Sequence, residues 1–529
     1  MWMIYKCVSF LFVLHFFPTI VFSQQAPKIE WQKCLGGSGY DVANCIIQTS
    51  DGGFAIAAYG GSTDGDVTGN HGLGDAWIVK LDPLGKMSWR KCYGGSGDDY
   101  ANWIIQTSDG GYAVAGRTDS PDGDVKGLHG TDNDAWVFKL NSSGDLLWQK
   151  CLGGTGYEGA NYILRSSDGG YVICGVAYSN DGDVHDNHSG PGDAWVVKLD
   201  SLGNLLWQKC IGGTADDEAL SIIENSSGGY TVAGRTSSKD GDIVGYHGGD
   251  FDALVFTLDS VGNTKWVKCY GGDSIEHFHS IIQTPDKGYA VSGHTNSMNG
   301  DVTGDHGGED GWVVKLDSAG NIQWEKSLGG SAVDGIYSIK LTKEGGYIGA
   351  GFSSSTDGDV SGCHGEDDMW IVKLNTVGNI EWQKCLGGSQ SENANSIALT
   401  SDDGYAIAGF STSNDGDVTG YHGGQDAWIV KLAAVNNVSL KQNDHNDIVL
   451  SANPVHNTMS ISYSLDKRTF VKLEICNLLG QNVQAVEADI EDAGTHIQYA
   501  DLSAHPVGSY FVRFTRDGRV DTKGFELIK

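Results

Sequence analysis

Basic residues are scarce in this chain. Thirty-five Lys and Arg stand against 67 Asp and Glu, a formal net charge of −32 over 529 residues. Nucleic acid phosphates would be repelled by such a protein, so nucleic acid is excluded as a partner. An acidic, solvated exterior instead suits solubility outside the cell and is compatible with divalent-cation uptake. No CxxC pair occurs for zinc. No Ser/His/Asp order, glycosidase carboxylate pair or glycine-rich phosphate loop stands apart from the rest of the sequence. The apolar run Val8 to Phe22 follows Lys6 and is too short and too early for a stop-transfer helix. It reads as a signal peptide over 1–23, cleaved before Gln24, with no transmembrane segment expected. No cysteine follows at that point, which argues against a lipid anchor.

A disulfide scaffold is not expected either, despite the export signal. Six of the 11 cysteines (Cys34, Cys92, Cys151, Cys210, Cys269, Cys385) take one repeated position, with Ser327 in the seventh copy. Equivalent positions in adjacent copies should lie beyond the roughly 7 Å between Cα atoms that a disulfide spans. They read as small buried hydrophobes. Cys45, Cys174, Cys363 and Cys476 have no repeated partner.

What the chain does have is a repeat. Trp-x-Lys-[Cys/Ser] segments recur at Trp31, Trp89, Trp148, Trp207, Trp266, Trp324 and Trp382, 58 or 59 residues apart. A unit of this size cannot cover both faces of its own sheet, so copies must stack on one another. Each reads as four strands. In the first unit, 44–48 and 54–58 flank the hairpin signal Ser-Asp-Gly-Gly at 50–53, and 75–81 turns through 82–86 into the strand around Trp89. The middle strands are apolar on both faces, as in a β-propeller blade. The chain opens on a lone fourth strand (29–35) and its last unit stops after a third (426–432). The two fragments complete each other, predicting a seven-bladed propeller over 28–434 closed by a shared blade. An open solenoid would leave both edges unpaired.

Thirteen of the 15 tryptophans occupy two repeated positions. Seven lie in the fourth strand and six in the third (Trp77, Trp136, Trp195, Trp312, Trp370, Trp428), with Leu254 in the seventh place. Burying an indole removes about 150–250 Å² from water, an upper bound of about 4–6 kcal/mol each. Core packing is therefore preferred to a set of sugar-stacking platforms.

A long loop, such as 60–74, joins the second and third strands of every unit, with the skeleton Asp-Gly-Asp-Val-x-Gly-x-His-Gly-x-x-Asp. Carboxylates at loop positions 1, 3 and 12 overlap the spacing of a calcium loop. The candidates are Asp64, Asp66 and Asp75; Asp357, Asp359 and Asp368; and Asp415, Asp417 and Asp426. Strands flank these loops instead of helices, so Asx-turns that cap the loop are the competing reading. The seven loop histidines (71, 129, 188, 247, 306, 364, 422) invite a transition-metal reading, but a ring would spread them apart. These loops and the Gly-Gly-Ser-x-x-Asp loops should share one face, the expected binding face.

The unit S-I-I-x-T-x-D-G-G-Y-x-V-A-G, followed by D-A-W-x-V-K-L-D-x-x-G-N-x-x-W-x-K-C-x-G-G, resembles the bacterial SBBP-type β-propeller repeat of secreted and surface proteins. Beyond a linker at 435–446, the segment 447–529 lacks the repeat and has the short strands and turns of a small Ig-like β-sandwich. Its Asn453-Pro454, Asn477-x-x-Gly480, Asp501-Leu502-Ser503 and Gly508-x-Tyr510 closely resemble the type A C-terminal sorting domain of the type IX secretion system of Bacteroidetes. That resemblance implies engagement of the secretion machinery, crossing of the outer membrane, and surface attachment or release. The sequence thus favours an all-β, exported, non-enzymatic scaffold binding an extracellular glycan or protein. The rival is a polysaccharide- or protein-degrading enzyme with a site near the propeller axis. Such a site needs a blade that breaks the repeat, and the fifth does: Glu276-His277-Phe278-His279 replaces Asp-x-Ala-Asn, and His294 stands where other units have Arg117 or Phe410.

Overall fold

The computed structural model describes residues 26–188, 190–434, 448–451, 458–465, 467–477, 481–516 and 519–527. The expected signal peptide at 1–23, the linker at 435–446, the Asn453-Pro454 opening and 478–480 lie outside the described residues. Among the described residues every regular element is a strand. The chain divides into two units, Met1–Val435 and Asn436–Lys529.

The first unit is a succession of seven four-stranded antiparallel sheets. Strand β1 (Ile29–Leu35) pairs with Asp426–Leu432, Leu35 opposite Ala427, and so completes the seventh sheet as the repeat ends predict. The first sheet runs in order through β2 (Asp41–Gln48), β3 (Phe54–Gly60), β4 (Asp75–Leu81) and β5 (Met87–Tyr93). Its middle strands are buried almost throughout because neighbouring sheets cover both faces. The first strands lie innermost. A bulge in each of them leaves one residue outside the strand register and re-aims its side chain. At this position Asn44, Asn102, Asn161 and Asn395 donate to carbonyls of the next first strand, those of Ala101, Ala160, Ala219 and Ala43, at 2.9–3.0 Å. The last of these bonds runs from the seventh sheet back to the first.

The two tryptophan sets have different jobs. Trp77, Trp136, Trp195, Trp312, Trp370 and Trp428 are fully buried, as is Leu254. The fourth-strand set, expected in the core, is half-buried apart from Trp382. Each of these indoles packs on an aromatic ring of the next sheet: Trp31 on Phe54, then Trp89, Trp148, Trp207, Trp266, Trp324 and Trp382 on the tyrosines at 112, 171, 230, 289, 347 and 405. Ring centroids lie 5.5–6.5 Å apart. The contact recurs at all seven interfaces because the fourth strand is the outer edge of a sheet, where the neighbouring sheet covers the indole. The neighbour's turn needs glycine twice over. Gly203 has φ +80°, and a Cβ there would meet the Trp148 ring at 2.8 Å.

Third-strand lysines are buried too, and the hairpin acids hold them. Lys80 pairs with Asp51 (3.0 Å), Lys139 with Asp109 (2.7 Å), Lys198 with Asp168 (2.7 Å) and Lys315 with Asp286 (2.8 Å). The hydrogen bond from Lys139 holds the Asp109 carboxyl well below the usual carboxylate range. In the fourth sheet Ser227 and Thr257 stand in these places, so both charges are lost together and no ammonium is left buried alone.

One expectation is corrected. Cys363, read as unpartnered, forms a disulfide with Cys385, one of the six repeated cysteines. The partner lies within the same sheet: the long loop folds back over its own fourth strand, where Gln383 Nε2 donates to the Ser361 carbonyl at 3.0 Å. That brings the two Cα atoms to 5.1 Å, within disulfide reach. Cys34, Cys45, Cys92, Cys151, Cys174, Cys210, Cys269 and Cys476 are free and buried.

The second unit is a sandwich of a three-stranded sheet (Ile448–Ser451, Thr458–Leu465, Gly494–Asp501) and a four-stranded one (Asn482–Glu491, Thr469–Cys476, Gly508–Arg516, Arg519–Leu527). Ile461 and Tyr463 from the first pack with Leu473, Ile475, Val512 and Phe514 from the second.

Gly203→Ala is expected to destabilise the first unit by about 1–3 kcal/mol through strain and the Trp148 contact. Gly110→Ala has the same kind of φ, +80°, but nothing within 4 Å of an added Cβ, and should cost less. Equilibrium denaturation of both variants measures the difference; equal losses would mean the indole contact adds nothing.

Candidate functional site

Each long loop is tied down at several points, and its carboxylates do different work. The first aspartate caps the turn after the Gly-Gly pair: Ser38 N donates to Asp64 at 2.7 Å, Ser331 N to Asp357 at 2.7 Å and Ser389 N to Asp415 at 2.8 Å. The second donates its backbone N–H to a glycine carbonyl, Asp66 to Gly36, Asp359 to Gly329 and Asp417 to Gly387, at 2.7–2.8 Å. The valine that follows (Val67, Val360, Val418) is buried. The last acid (Asp75, Asp368, Asp426) is buried at the head of the third strand, where the loop histidine (His71, His364, His422) meets it through its backbone N–H and through Nδ1, the latter at 2.6–2.9 Å.

The second aspartate's carboxylate looks elsewhere again. Asp66 pairs with Arg90 at 3.1 Å, and Asp359 lies 3.9 Å from His306 Nε2 of the preceding sheet. His129, His188 and His247 make the same bridge, each set between its own buried aspartate and Asp183, Asp242 or Asp301 of the next sheet, 3.6–3.7 Å away. In the first and sixth sheets the three candidate carboxylates of one loop therefore have separate partners. Among the described residues, the groups of three ligand-capable side chains within 4.8 Å are His277, His279 and His294, and Cys363, Asp368 and Cys385. The second group contains the disulfide.

Two sets of seven acids are buried on this face. Beside the heads of the third strands stand the heads of the first: Asp41, Asp99, Glu158, Asp217, Glu276, Asp334 and Glu392. The Gly-Gly pair exists because the backbone passes between the two sets; a Cβ on Gly212 would lie 2.5 Å from Asp217 and 2.6 Å from Asp193. Burial pushes Asp99 and Asp217 up to about 6, against hydrogen bonds from Thr118 and Thr236. It also raises Asp134, Asp193, Asp252, Asp310 and Asp426, each of which leaves Oδ1 buried without a partner. Part of the formal charge is thus interior, where the sequence reading placed it in a solvated exterior.

The sheets differ most at one cross-strand pair near this end. Tyr100 faces Arg117, Glu218 faces Arg235 and His277 faces His294, but the third sheet has Gly159 opposite Val176. The small pair opens a cleft of about 520 Å³, lined by Tyr157, Val176, Tyr178, Asp216, Glu218 and Arg235 among others. Tyr157 and Tyr178 meet edge-to-face at 5.6 Å, and Tyr178 is 44% exposed. Arg235 pairs with Glu218 at 2.7 Å and lies over the Phe251 ring. Nothing in the repeat spacing marks this cleft; its signal was the Gly159–Val176 departure, visible only once strand register is known.

Residues 452–526 match the family described as secretion system C-terminal sorting domain. The tail is thus a type IX sorting domain, and it directs export to the cell surface or release. Among curated proteins, the regulatory protein FlaEY of Caulobacter vibrioides is 28% identical over 167 residues, 30% of this chain and 17% of that protein's length. Among solved structures, Sqt1 from Chaetomium thermophilum aligns with 76% of this chain and 100% of its own, at 11% identity and a TM-score of 0.41. PorZ, a surface component of the type IX secretion system of Porphyromonas gingivalis, aligns with 92% of this chain and 70% of its own, at 12% identity and a TM-score of 0.30. No helix among the described residues is long and apolar enough to cross a membrane.

Two outcomes follow from the loop geometry. Because the carboxylates of one loop are drawn to separate partners in the first and sixth sheets, the melting temperature in millimolar calcium should match that in chelator. A rise of several degrees with calcium would return Asp64, Asp66, Asp75 and their equivalents to cation binding. The second concerns pH. Burial works to lower the pKa of His129, His188 and His306, but their aspartate partners outweigh it and the net shift is upward. Protonation of these rings therefore stabilises the fold fully below about 6.5, and the contribution is lost as pH rises through the higher folded values. Stability should fall as pH rises above about 6.5, and a His129→Gln, His188→Gln, His306→Gln variant should lack that slope in denaturant titrations. An unchanged slope would assign it to other groups.

Proposed function

We propose that this protein is an exported, non-enzymatic scaffold that binds a glycan through the cleft between its second and fourth sheets. The observation that carries the reading is the combination of an exposed Tyr178 ring and a half-buried Tyr157 ring with an Arg235–Glu218 pair around an open space. Aromatic faces stack on the apolar faces of sugar rings, while a fixed guanidinium and carboxylates supply directional hydrogen bonds to hydroxyls. Asp216 and Glu218 at the rim disfavour a polyanion, so a neutral glycan fits best. The sorting tail puts this cleft where extracellular carbohydrate is found.

The full-length protein on a glycan array should show saturable binding to neutral glycans. Tyr157→Ala with Tyr178→Ala should weaken it by about tenfold or more, the effect of losing roughly 1.4 kcal/mol. Ser108→Ala, in a hairpin turn at the other end of the sheets, should leave it unchanged. Binding that survives loss of both tyrosines would move the site away from the cleft. Turnover of a bound polysaccharide would favour an enzyme instead.

A further inference from the structure

The fifth sheet breaks the repeat at three positions, and folding brings all three together. His277 and His294 face each other across the first and second strands of that sheet, Glu276–Gln283 and Tyr289–Thr295. His279 takes the bulge position, where four other sheets carry an asparagine bonded to the next strand. The bulge turns His279 toward the same space, with His279 Nε2 3.3 Å from His294 Nδ1. One ring nitrogen from each of the three residues lies within 4.8 Å of the others. We infer that His277, His279 and His294 form a binding site for a first-row divalent cation, for which Zn²⁺ is the natural probe.

The geometry suits such an ion. Zinc–imidazole bonds of about 2.0–2.1 Å in a tetrahedral shell put neighbouring nitrogens about 3.3 Å apart, and the His279–His294 pair already stands at 3.3 Å. His277 Nε2 is buried with no hydrogen-bond partner, and as an unprotonated acceptor its lone pair is one that a metal would satisfy. The rings are held by aromatic neighbours: Phe251 lies 5.3 Å from His277 and Tyr337 lies 4.6 Å from His279. Glu309 Oε1 lies 3.6 Å from His294 Nδ1 and supplies a nearby negative charge. Arg235 is the opposing charge, and Glu218 pairs with it at 2.7 Å. Burial, then the neighbouring His294 and Arg235 charges, pushes His277 down to about 2; burial and Arg235 push His294 down to about 4, and His279 is lowered as well.

The test uses the full-length protein, stripped with chelator, loaded with Zn²⁺ or Co²⁺, desalted, and assayed for metal by mass spectrometry and for Co²⁺ by visible absorption. The expected result is a single retained equivalent with an absorption spectrum of low coordination number. A His277→Asn, His279→Asn, His294→Phe variant gives the fifth sheet the residues of the seventh (Asn393, Asn395, Phe410). It should lose affinity by about a hundredfold or more, beyond the scale on which supporting contacts alone act. His129→Ala and His188→Ala, in the loops, should retain the metal. Should the triple variant misfold by circular dichroism, His279→Asn alone is expected to show the same loss. Negligible metal on the wild-type protein, or full retention by whichever of these variants folds, overturns the proposal.

Discussion

The contact between an indole on the outer edge of one sheet and an aromatic ring of the next is the interaction on which the first unit depends. A four-stranded sheet with both faces apolar has no stable existence in water; it needs a neighbour on each side. The innermost strands meet through asparagine amides and the middle strands through buried tryptophans, while at the outer edge this contact recurs at every interface, joined at some by bonds such as Tyr270 Oη to the Gly320 carbonyl. Because it recurs from Trp31–Phe54 through Trp382–Tyr405, no sheet is left with a bare side. The constraint explains several otherwise separate sequence features at once. The turn glycine exists to let the indole approach, the shared seventh sheet removes the two loose edges, and the short turns keep each sheet in register with its neighbour.

Much of this was legible because it is periodic. The spacing of Trp31 to Trp382 specified sheet size, and the lone strand at 29–35 specified how the array begins and ends. What was illegible depends on contacts between segments far apart in sequence. The role of Asp64 could not be read from its loop because its partner, Ser38, precedes the whole unit. His129 could not be assigned because one of its two carboxylates, Asp183, belongs to the next sheet. Cys363 looked unpaired because repeat logic compares like positions between units, whereas its partner sits at an unlike position in the same one. The histidines at 277, 279 and 294 were visible as departures from the repeat; their convergence was not, since it rests on a bulge that shifts register by one residue.

Repetition also separates architecture from chemistry. A residue repeated from sheet to sheet is answerable to the stacking: the buried lysines follow their hairpin acids, and where one charge goes, at Ser227 and Thr257, so does the other. Ligand recognition needs asymmetry, and asymmetry here is concentrated at one cross-strand pair per sheet. Gly159–Val176, Glu218–Arg235 and His277–His294 occupy that same pair in three consecutive sheets. A small pair beside charged and ligating pairs makes a space with chemistry on its walls.

The buried acids set a limit on how such a face evolves. Fourteen carboxylates at strand heads are shielded by backbone N–H groups, hydroxyls and histidine rings. Removing a donor would leave a buried charge unpaired, which costs more than the hydrogen bond it formed. The strand heads are therefore resistant to change, while the cross-strand pair one residue further on, facing the open end, is not so bound. Variation in binding is confined by that asymmetry of cost to a narrow zone between a rigid acidic interior and the loops, and the cleft and the histidine cluster both lie within it.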